Sequence, residues 1–283
     1  MAQIHNAAGD HTLDITADGE ALVKFLTPPE VTLPTSQRIL VRPEYSATAR
    51  GDIAGQTSEP LTGYNAGVGT AFEPVWAVSG TSYPWRSTAA TLTVSSSATT
   101  DVYGTGAGAW VVKVEGLDAN WLPISEFVNL NGRNAVSTVN SYLRVNALTV
   151  VAAGANAAND GVVYVGYGTV AAGVPANVLA AVAIGENNSL QMVYSVPAGY
   201  RLELVAYRAS LSAAGTVKFN IRYNPTPGLF YTAYALPLPA GIGVINAILP
   251  MHLPAKTDMI LLAAATTGTI AVGMIFEAVL EAV

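Results

Sequence analysis

The sequence predicts an all-β protein: an antiparallel β-sandwich body, jelly-roll-like, behind an extended, proline-rich N-terminal arm. Three observations carry that reading. Nearly every periodic segment repeats apolar residues at every second position, the period of a strand. Turn residues interrupt these runs every 8–12 residues or so, the spacing of a sandwich or barrel. Prolines crowd the first quarter of the chain, at Pro28, Pro29, Pro34, Pro43, Pro60 and Pro74.

The arm comes first. Each proline removes a backbone donor and disfavours a central strand, and only brief apolar bursts separate them. Residues 1–75 are therefore expected to lie extended over a partner or over the body itself, with a boundary between Trp76 and Thr91. The opening "MAQIHNAAGDHTLDITADGE" has neither a basic n-region nor an apolar h-region, which speaks against a secretory signal.

Strand patterns follow in order: "TLTV" (91–94), "AWVVKVEGL" (109–117), "EFVNL" (126–130), "YLRVNALTVV" (142–151) and "GVVYVGYGTV" (161–170). Then come "SLQMVYSV" (189–196), "RLELVAYRASL" (201–211) and "TVKFNIRY" (216–223). In the last of these Val217, Phe219, Ile221 and Tyr223 alternate with Lys218, Asn220 and Arg222, giving one dry face and one wet one. "ANVLAAVAIGENN" (176–188) has the Ala and Leu content of a short helix, without a capping box, and ends at Gly185. Residues 76–175 and 176–283 each hold enough strands for a β-rich half, so two stacked halves and one continuous sandwich both fit.

The apolar C-terminus, "MILLAAATTGTIAVGMIFEAVLEAV", raises the question of a membrane span. A spanning helix needs about 20 unbroken apolar residues, and "TTGT" at 266–269 divides this run into two lengths suited to strands. It reads as a β-hairpin buried on both faces, and no membrane partner is expected.

Composition narrows the function. Of 283 residues 51% are hydrophobic and 11% charged, against about 25% charged in soluble domains generally. Much of the surface is then uncharged, or is covered by other copies. Thirteen Lys and Arg against 19 Asp and Glu, with no basic run, argue against nucleic acid. Absence of cysteine removes disulfides, thiolate metal sites and cysteine nucleophiles.

Candidate chemistry is sparse. "VEGLDANWLPISEFVNLNGR" (114–133) gathers Glu115, Asp118 and Glu126. Asp118 with Glu126, or Asp101 with Glu115, could form the acid pair of a glycosidase if held roughly 5–9.5 Å apart. Turn chemistry explains the same residues more simply. Asp118 and Asn120 suit a side-chain-capped turn, and Asn131-Gly132 suits a type I′ hairpin. His5, His11 and His252 are dispersed without metal-ligand spacing, and His252 is expected on a proline-rich crossing between strands. No G-x-S-x-G occurs. "GTGAGAW" (104–110) lacks the Lys-Ser/Thr and helix of a phosphate loop and reads as a flexible hairpin loop. Arg50-Gly51-Asp52 is a three-residue match to an adhesion motif. Trp76, Tyr83, Trp85 and Trp121 lie near turns, where they either seal sandwich ends and subunit seams or offer a platform to a sugar. No catalytic, cofactor-binding or metal-binding residue is assigned, and no enzymatic activity or cofactor is expected.

The order of the blocks "VEGLDANWLPISEFVNLNGRNAVSTVNSYLRVNALTVVAAGANAANDGVVYVG", "MVYSVPAGYRLEL" and "LPMHLPAKTDMILLAAATTGTIAVGMIFEAVL" resembles β-rich virion structural proteins of tailed bacteriophages, particularly of cyanobacterial and marine phages. The resemblance covers roughly residues 90–283. It implies a capsid decoration (cement) protein, or a related fibre protein, located in the virion and in contact with the major capsid protein or other virion proteins. A homotrimer suits the apolar body and threefold positions on a particle. The alternative is a tail fibre or spike component that binds or cleaves host surface carbohydrate.

Overall fold

The structure, a computed structural model, describes residues 47–78, 80–223 and 229–283, together with three N-terminal strands; those strands and residues 242–250 are described by backbone alone. The chain divides into two units, Met1–Glu44 and Tyr45–Val283. All strand pairings are antiparallel.

In the first unit, β1 (Gln3–His5), β2 (His11–Ile15) and β3 (Ala21–Phe25) form a meander. Ile4, Leu13 and Val23 stand in register across it. These strands revise the expected arm at residues 3–5, 11–15 and 21–25, where alternation in "HTLDI" and "ALVKF" outweighs the absence of longer apolar runs. Residues 26–46, where four of the prolines fall, lie outside the described residues.

The second unit contains two sandwiches. In the first, β7 (Thr93–Ser96), β10 (Val136–Ser137), β12 (Val163–Ala171) and β13 (Val174–Val182) form a sheet in the order β10-β7-β12-β13. It faces a sheet of β8 (Ala109–Leu117), β9 (Pro123–Asn129) and β11 (Arg144–Ala153) in the order β11-β8-β9. Val94, Val112, Val114, Leu148, Val165 and Leu179 meet in the shared core. Residues 176–182 are therefore strand, not helix. Pairing with β12 supplies backbone bonds and burial that outweigh the helix propensity of "VLAA".

The other sandwich is discontinuous in sequence. One sheet runs β14 (Val193–Ser195), β19 (Thr257–Ala265), β16 (Gly215–Tyr223), β17 (Tyr231–Leu238), with β6 (Glu73–Pro74) also on β19. The facing sheet runs β18 (Gly241–Leu253), β15 (Tyr200–Leu211), β20 (Ile270–Ala282), and β20 carries both β4 (Gln56–Ser58) and β5 (Leu61–Val68) on its far side. Residues 56–75 are thus part of the body: Leu61, Val68 and Val75 are buried in this core. Pro60 lies between β4 and β5, and Pro74 sits in a two-residue strand, so neither occupies the middle of a ladder.

Val217, Phe219 and Ile221 point inward from β16 as the alternation requires, with Lys218, Asn220 and Arg222 on the opposite face; Arg222, however, is nearly buried there, and Tyr223, expected on the dry face, is exposed at the strand end. Phe219, Tyr234, Tyr207 and Phe276 close the core as a four-ring cluster with centroids 5.2–5.7 Å apart. β19 and β20 do not form the expected hairpin. Thr266–Thr269, with Gly268 at φ 67°, carries the chain from one sheet to the other. The continuous apolar run of β19 has a different cause. Met259, Leu261 and Ala263 enter its own sandwich core, while Ile260 and Leu262 on the opposite face pack against the core of the first sandwich. Among the described residues no helix is long and apolar enough to cross a membrane.

Phe219 packs in tilted contact with both Tyr234 and Phe276 and is fully buried. Phe219→Ala is expected to lower stability by about 3–5 kcal/mol, read as a fall in the midpoint of chemical denaturation monitored by near-ultraviolet circular dichroism.

Candidate functional site

The charged centre of the molecule lies where the two sandwiches meet. Asp258 stands on the outward face of β19 and is fully buried. Antiparallel register places Ser195 of β14 directly opposite it on one side and Arg222 of β16 on the other, and directly opposed residues present side chains to the same face. Ser195 Oγ donates to Oδ1 at 2.5 Å. Arg222 donates Nε and Nη2 to Oδ2 at 3.1 and 2.6 Å. From the other sandwich, Arg144 at the start of β11 completes a bidentate fork, Nε to Oδ1 at 2.8 Å and Nη2 to Oδ2 at 2.9 Å. Its Nη1 donates to the carbonyls of Arg86 and Leu143 at 2.7 and 2.9 Å. Burial alone would raise the Asp258 carboxyl. The hydrogen bonds and charge of Arg144, with the bonds of Ser195 and Arg222, outweigh burial and hold it below the ordinary carboxylate value.

Aromatic rings enclose this cluster. Arg144 lies 5.3 Å from the centroid of Trp85 and 4.8 Å from that of Trp121; Arg222 lies 4.8 Å from Trp85 and 4.6 Å from Phe230. Trp76, Tyr83, Trp85 and Phe230 form a ladder with centroid steps of 5.5, 4.6 and 5.2 Å. The four aromatics singled out in the sequence therefore divide. Trp76 and Tyr83 are core residues, and burial pushes the Tyr83 phenol up. Trp85 and Trp121 instead line an open cleft of ≈ 680 Å³ between the sandwiches, with Arg86, Arg144, Arg222, Ser87 and Thr88.

The proposed acid pairs have structural duties. Asp118 Oδ1 accepts from the amides of Asn120 and Leu122 at 2.7 and 2.9 Å, closing the β8–β9 turn. Glu126 accepts from the amides of Val139 and Asn140 at 2.8 and 3.0 Å. Glu115 pairs with Lys113 at 2.6 Å. Asp101 is buried and accepts from Ser96 Oγ and the amides of Ala109, Asp160 and Gly161 at 2.5–3.0 Å. The 104–110 glycines serve that arrangement. A Cβ on Gly106 would stand 1.9 Å from the Thr100 carbonyl, and one on Gly108 2.1 Å from Asp101 Oδ1. This loop is a crossing from β7 to β8, which lie in different sheets, and not a hairpin.

Asn131-Gly132 also differs from expectation. Gly132 has φ 58°, whereas Asn131 and Arg133 have no positive φ, and the Asn134 amide bonds to the Asn131 carbonyl at 3.1 Å. With the positive φ at the first central residue alone, the turn has the II′ pattern, and it joins strands of different sheets. His252 stands within β18, not on a crossing, 3.9 Å from Glu203 of β15. His5 and His11 fall on β1 and β2. Among the described residues no three His, Asp or Glu side chains are grouped to hold a metal. Arg50 and Asp52 pair with each other at 2.9 Å on an exposed turn.

Sequence reasoning missed Arg144, Ser195, Arg222 and Asp258. For Arg144, Arg222 and Asp258 the only signal is a charge inside or beside an apolar strand run, as in "YLRVN" and "KTDMILL", and Ser195 carries none. No protein-family model matches the chain, and no curated protein matches it. Among solved structures it is weakly similar to "Structure of infectious bursal disease virus Gx strain", at 11% identity over 80% of this chain and 76% of that one, with a TM-score of 0.19. The corresponding Gt strain structure gives 11% identity over 80% and 71%, with a TM-score of 0.18. Scores of this size do not establish a common fold.

Asp258→Asn leaves two guanidiniums at the seam without their anion and is expected to cost about 3–5 kcal/mol in unfolding free energy. Because the folded-state carboxyl titrates below its unfolded value of about 3.9, its stabilisation is present above that value. It is lost as pH falls through the folded value. Denaturation midpoints measured from neutral pH into acid should therefore fall less steeply in the variant than in the parent.

Proposed function

We propose that the chain is a non-enzymatic structural protein of a bacteriophage particle, a capsid decoration or cement protein that works as a homotrimer. One observation carries this reading. Between Arg222 and Lys256 the sequence holds no Asp, Glu, Lys or Arg, and this stretch supplies β17 and β18, the last strand of each sheet in the second sandwich. Two residues, Pro239 and Ala240, join them, so two ladder edges that pair with no further strand among the described residues come together at one corner. Edge strands are normally guarded by charge, above all lysine, because their free amides and carbonyls recruit other chains. Here the guard is absent. Leu229 and Tyr231 are 69% and 56% exposed beside the same edge. An uncharged edge of this length suits coverage by neighbouring subunits, with little charge to desolvate on assembly.

The strand order is in keeping with that role. Without its auxiliary strands, the second sandwich reads β5-β20-β15-β18 over β14-β19-β16-β17, and successive strands from β14 onward change sheet at every step except β16 to β17. We read that order as jelly-roll-like, a fold used in capsid and lectin domains. Fold alone does not assign function, so the uncharged edge remains the main support.

The purified chain should sediment as a trimer at micromolar concentration and occur in many copies in purified particles. Ala233 is exposed on β17 and falls in its bulge, out of register with β16. Ala233→Lys should restore an edge guard and yield a folded monomer. A parent that sediments as a monomer and is missing from particles would remove the proposal.

A further inference from the structure

We propose that the cleft between the sandwiches binds a carboxylate-bearing sugar, with Arg86 receiving the carboxylate and Trp121 carrying the sugar ring. The first support is charge. The chain has a net charge of -6, yet three guanidiniums line this one cleft. The carboxylate set among them, Asp258, already accepts from Arg144, Arg222 and Ser195. Three cations against one anion leave the cleft positive, and the low-dielectric side chains of Trp85, Trp121 and Leu143 in its wall concentrate that field on an anion entering it.

The second support is the state of Arg86. Its Nε donates to the carbonyl of Thr88 at 3.1 Å, and its guanidinium lies 4.4 Å from the centroid of Tyr167. Its terminal nitrogens have no protein acceptor among the described residues. Stacking fixes the plane of the fork, so a carboxylate can be met by two parallel N–H groups at small entropic cost. Arg144 cannot serve in this way, since its bonds go to Asp258 and two carbonyls.

The third is Trp121, which occupies the left-handed region at φ 67°, rare for a bulky residue. The turn holds it there. Its amide bonds to the Asp118 carbonyl at 3.1 Å, and its carbonyl accepts from Ala198 of the other sandwich at 2.8 Å. This sets a half-buried indole in the cleft lining on a fixed backbone. Trp85 is less suited, being packed against Tyr83, Phe230 and both buried arginines. Exposed Ser87 and Thr88 add hydroxyls for ring substituents. Nucleic acid fits poorly, because phosphate binding extends along a track of Lys and Arg that this chain lacks. The site is independent of subunit assembly, and either reading can fail alone.

Calorimetric titration of the full chain with trigalacturonic acid and with 3′-sialyllactose tests the two sources of a sugar carboxylate, and the acid that saturates identifies the source. Methyl-esterified trigalacturonate and lactose are the neutral controls. At least one acid should bind and quench tryptophan fluorescence, and its neutral counterpart should bind about tenfold more weakly or worse. Arg86→Gln should lose a similar factor. Ala119→Glu, at an exposed position on the cleft lining, should do the same by repulsion without disturbing any core contact. Failure of both acids to bind, equal binding of acid and neutral sugar, or unchanged affinity in both folded variants would overturn the proposal.

Discussion

The relative setting of the two sandwiches depends on one buried carboxylate. Apolar contact between Ile260, Leu262 and the first core supplies area at the seam, but hydrophobic burial has no direction and would tolerate sliding. Asp258 removes that freedom. Its fork with Arg144 is met only when the start of β11 lies over the start of β19, and Ser195 and Arg222 fix the carboxylate from either side through strand register. Neighbouring contacts enforce the same setting. The Asn146 side chain bonds both the amide and the carbonyl of Ser195, each at 3.0 Å, acting as a one-residue strand partner for β14. Gln191 donates to the carbonyls of Val145 and Asn146 at 3.4 and 3.3 Å.

This seam also closes a topological problem. The first sandwich is inserted between β6 and β14 of the second, so the chain leaves a partly built fold and must return to it. β5 pairs along β20, some two hundred residues later in sequence. The entropy of closing so long a loop grows only slowly with length, yet contacts of this range slow folding because they are rewarded late. Folding of the inserted sandwich shortens the gap. Val75 belongs to one core and Trp76 to the other, so the departing chain crosses the seam in a single residue. On the return, Met192 and Tyr194 enter the second core while Val193 between them faces the first.

The insertion explains what the sequence could and could not disclose. Period-two alternation locates β8 and β16 well, because each lies in one sheet with one face in one core. The Asp118 turn is legible for a similar reason, since its bonds are local. A division at residue 175 or 176 is not recoverable from pattern: it cuts β13, and the second sandwich draws β4, β5 and β6 from far upstream. Prolines led to an arm over 56–75 because their ladder cost is real, but short strands flanking a proline avoid that cost. The site was hidden for another reason. Asp258 looks like a turn residue after "LPAKT", and Arg144 like the wet position of a strand; only a second sandwich docking on that face makes either one buried.

Scarcity of charge makes the remaining arrangement readable. Arg50, Lys113, Arg144, Arg201, Arg208 and Arg222 each have a carboxylate partner within 2.5–2.9 Å. Apart from the two buried pairs on Asp258, these are surface pairs that contribute little stability, but they cancel local field. In a chain with only 13 basic residues, such cancellation leaves few places where positive potential survives. The cleft beside Asp258 is one, because Arg144 and Arg222 share a single carboxylate and Arg86 has none among the described residues. The β17–β18 edge lies at the other extreme, with no charge to cancel. A molecule built this way presents one surface where association meets almost no electrostatic opposition and one concavity where an anion is favoured. Both follow from the same composition, since charges withdrawn to the seam are charges the edges do not have.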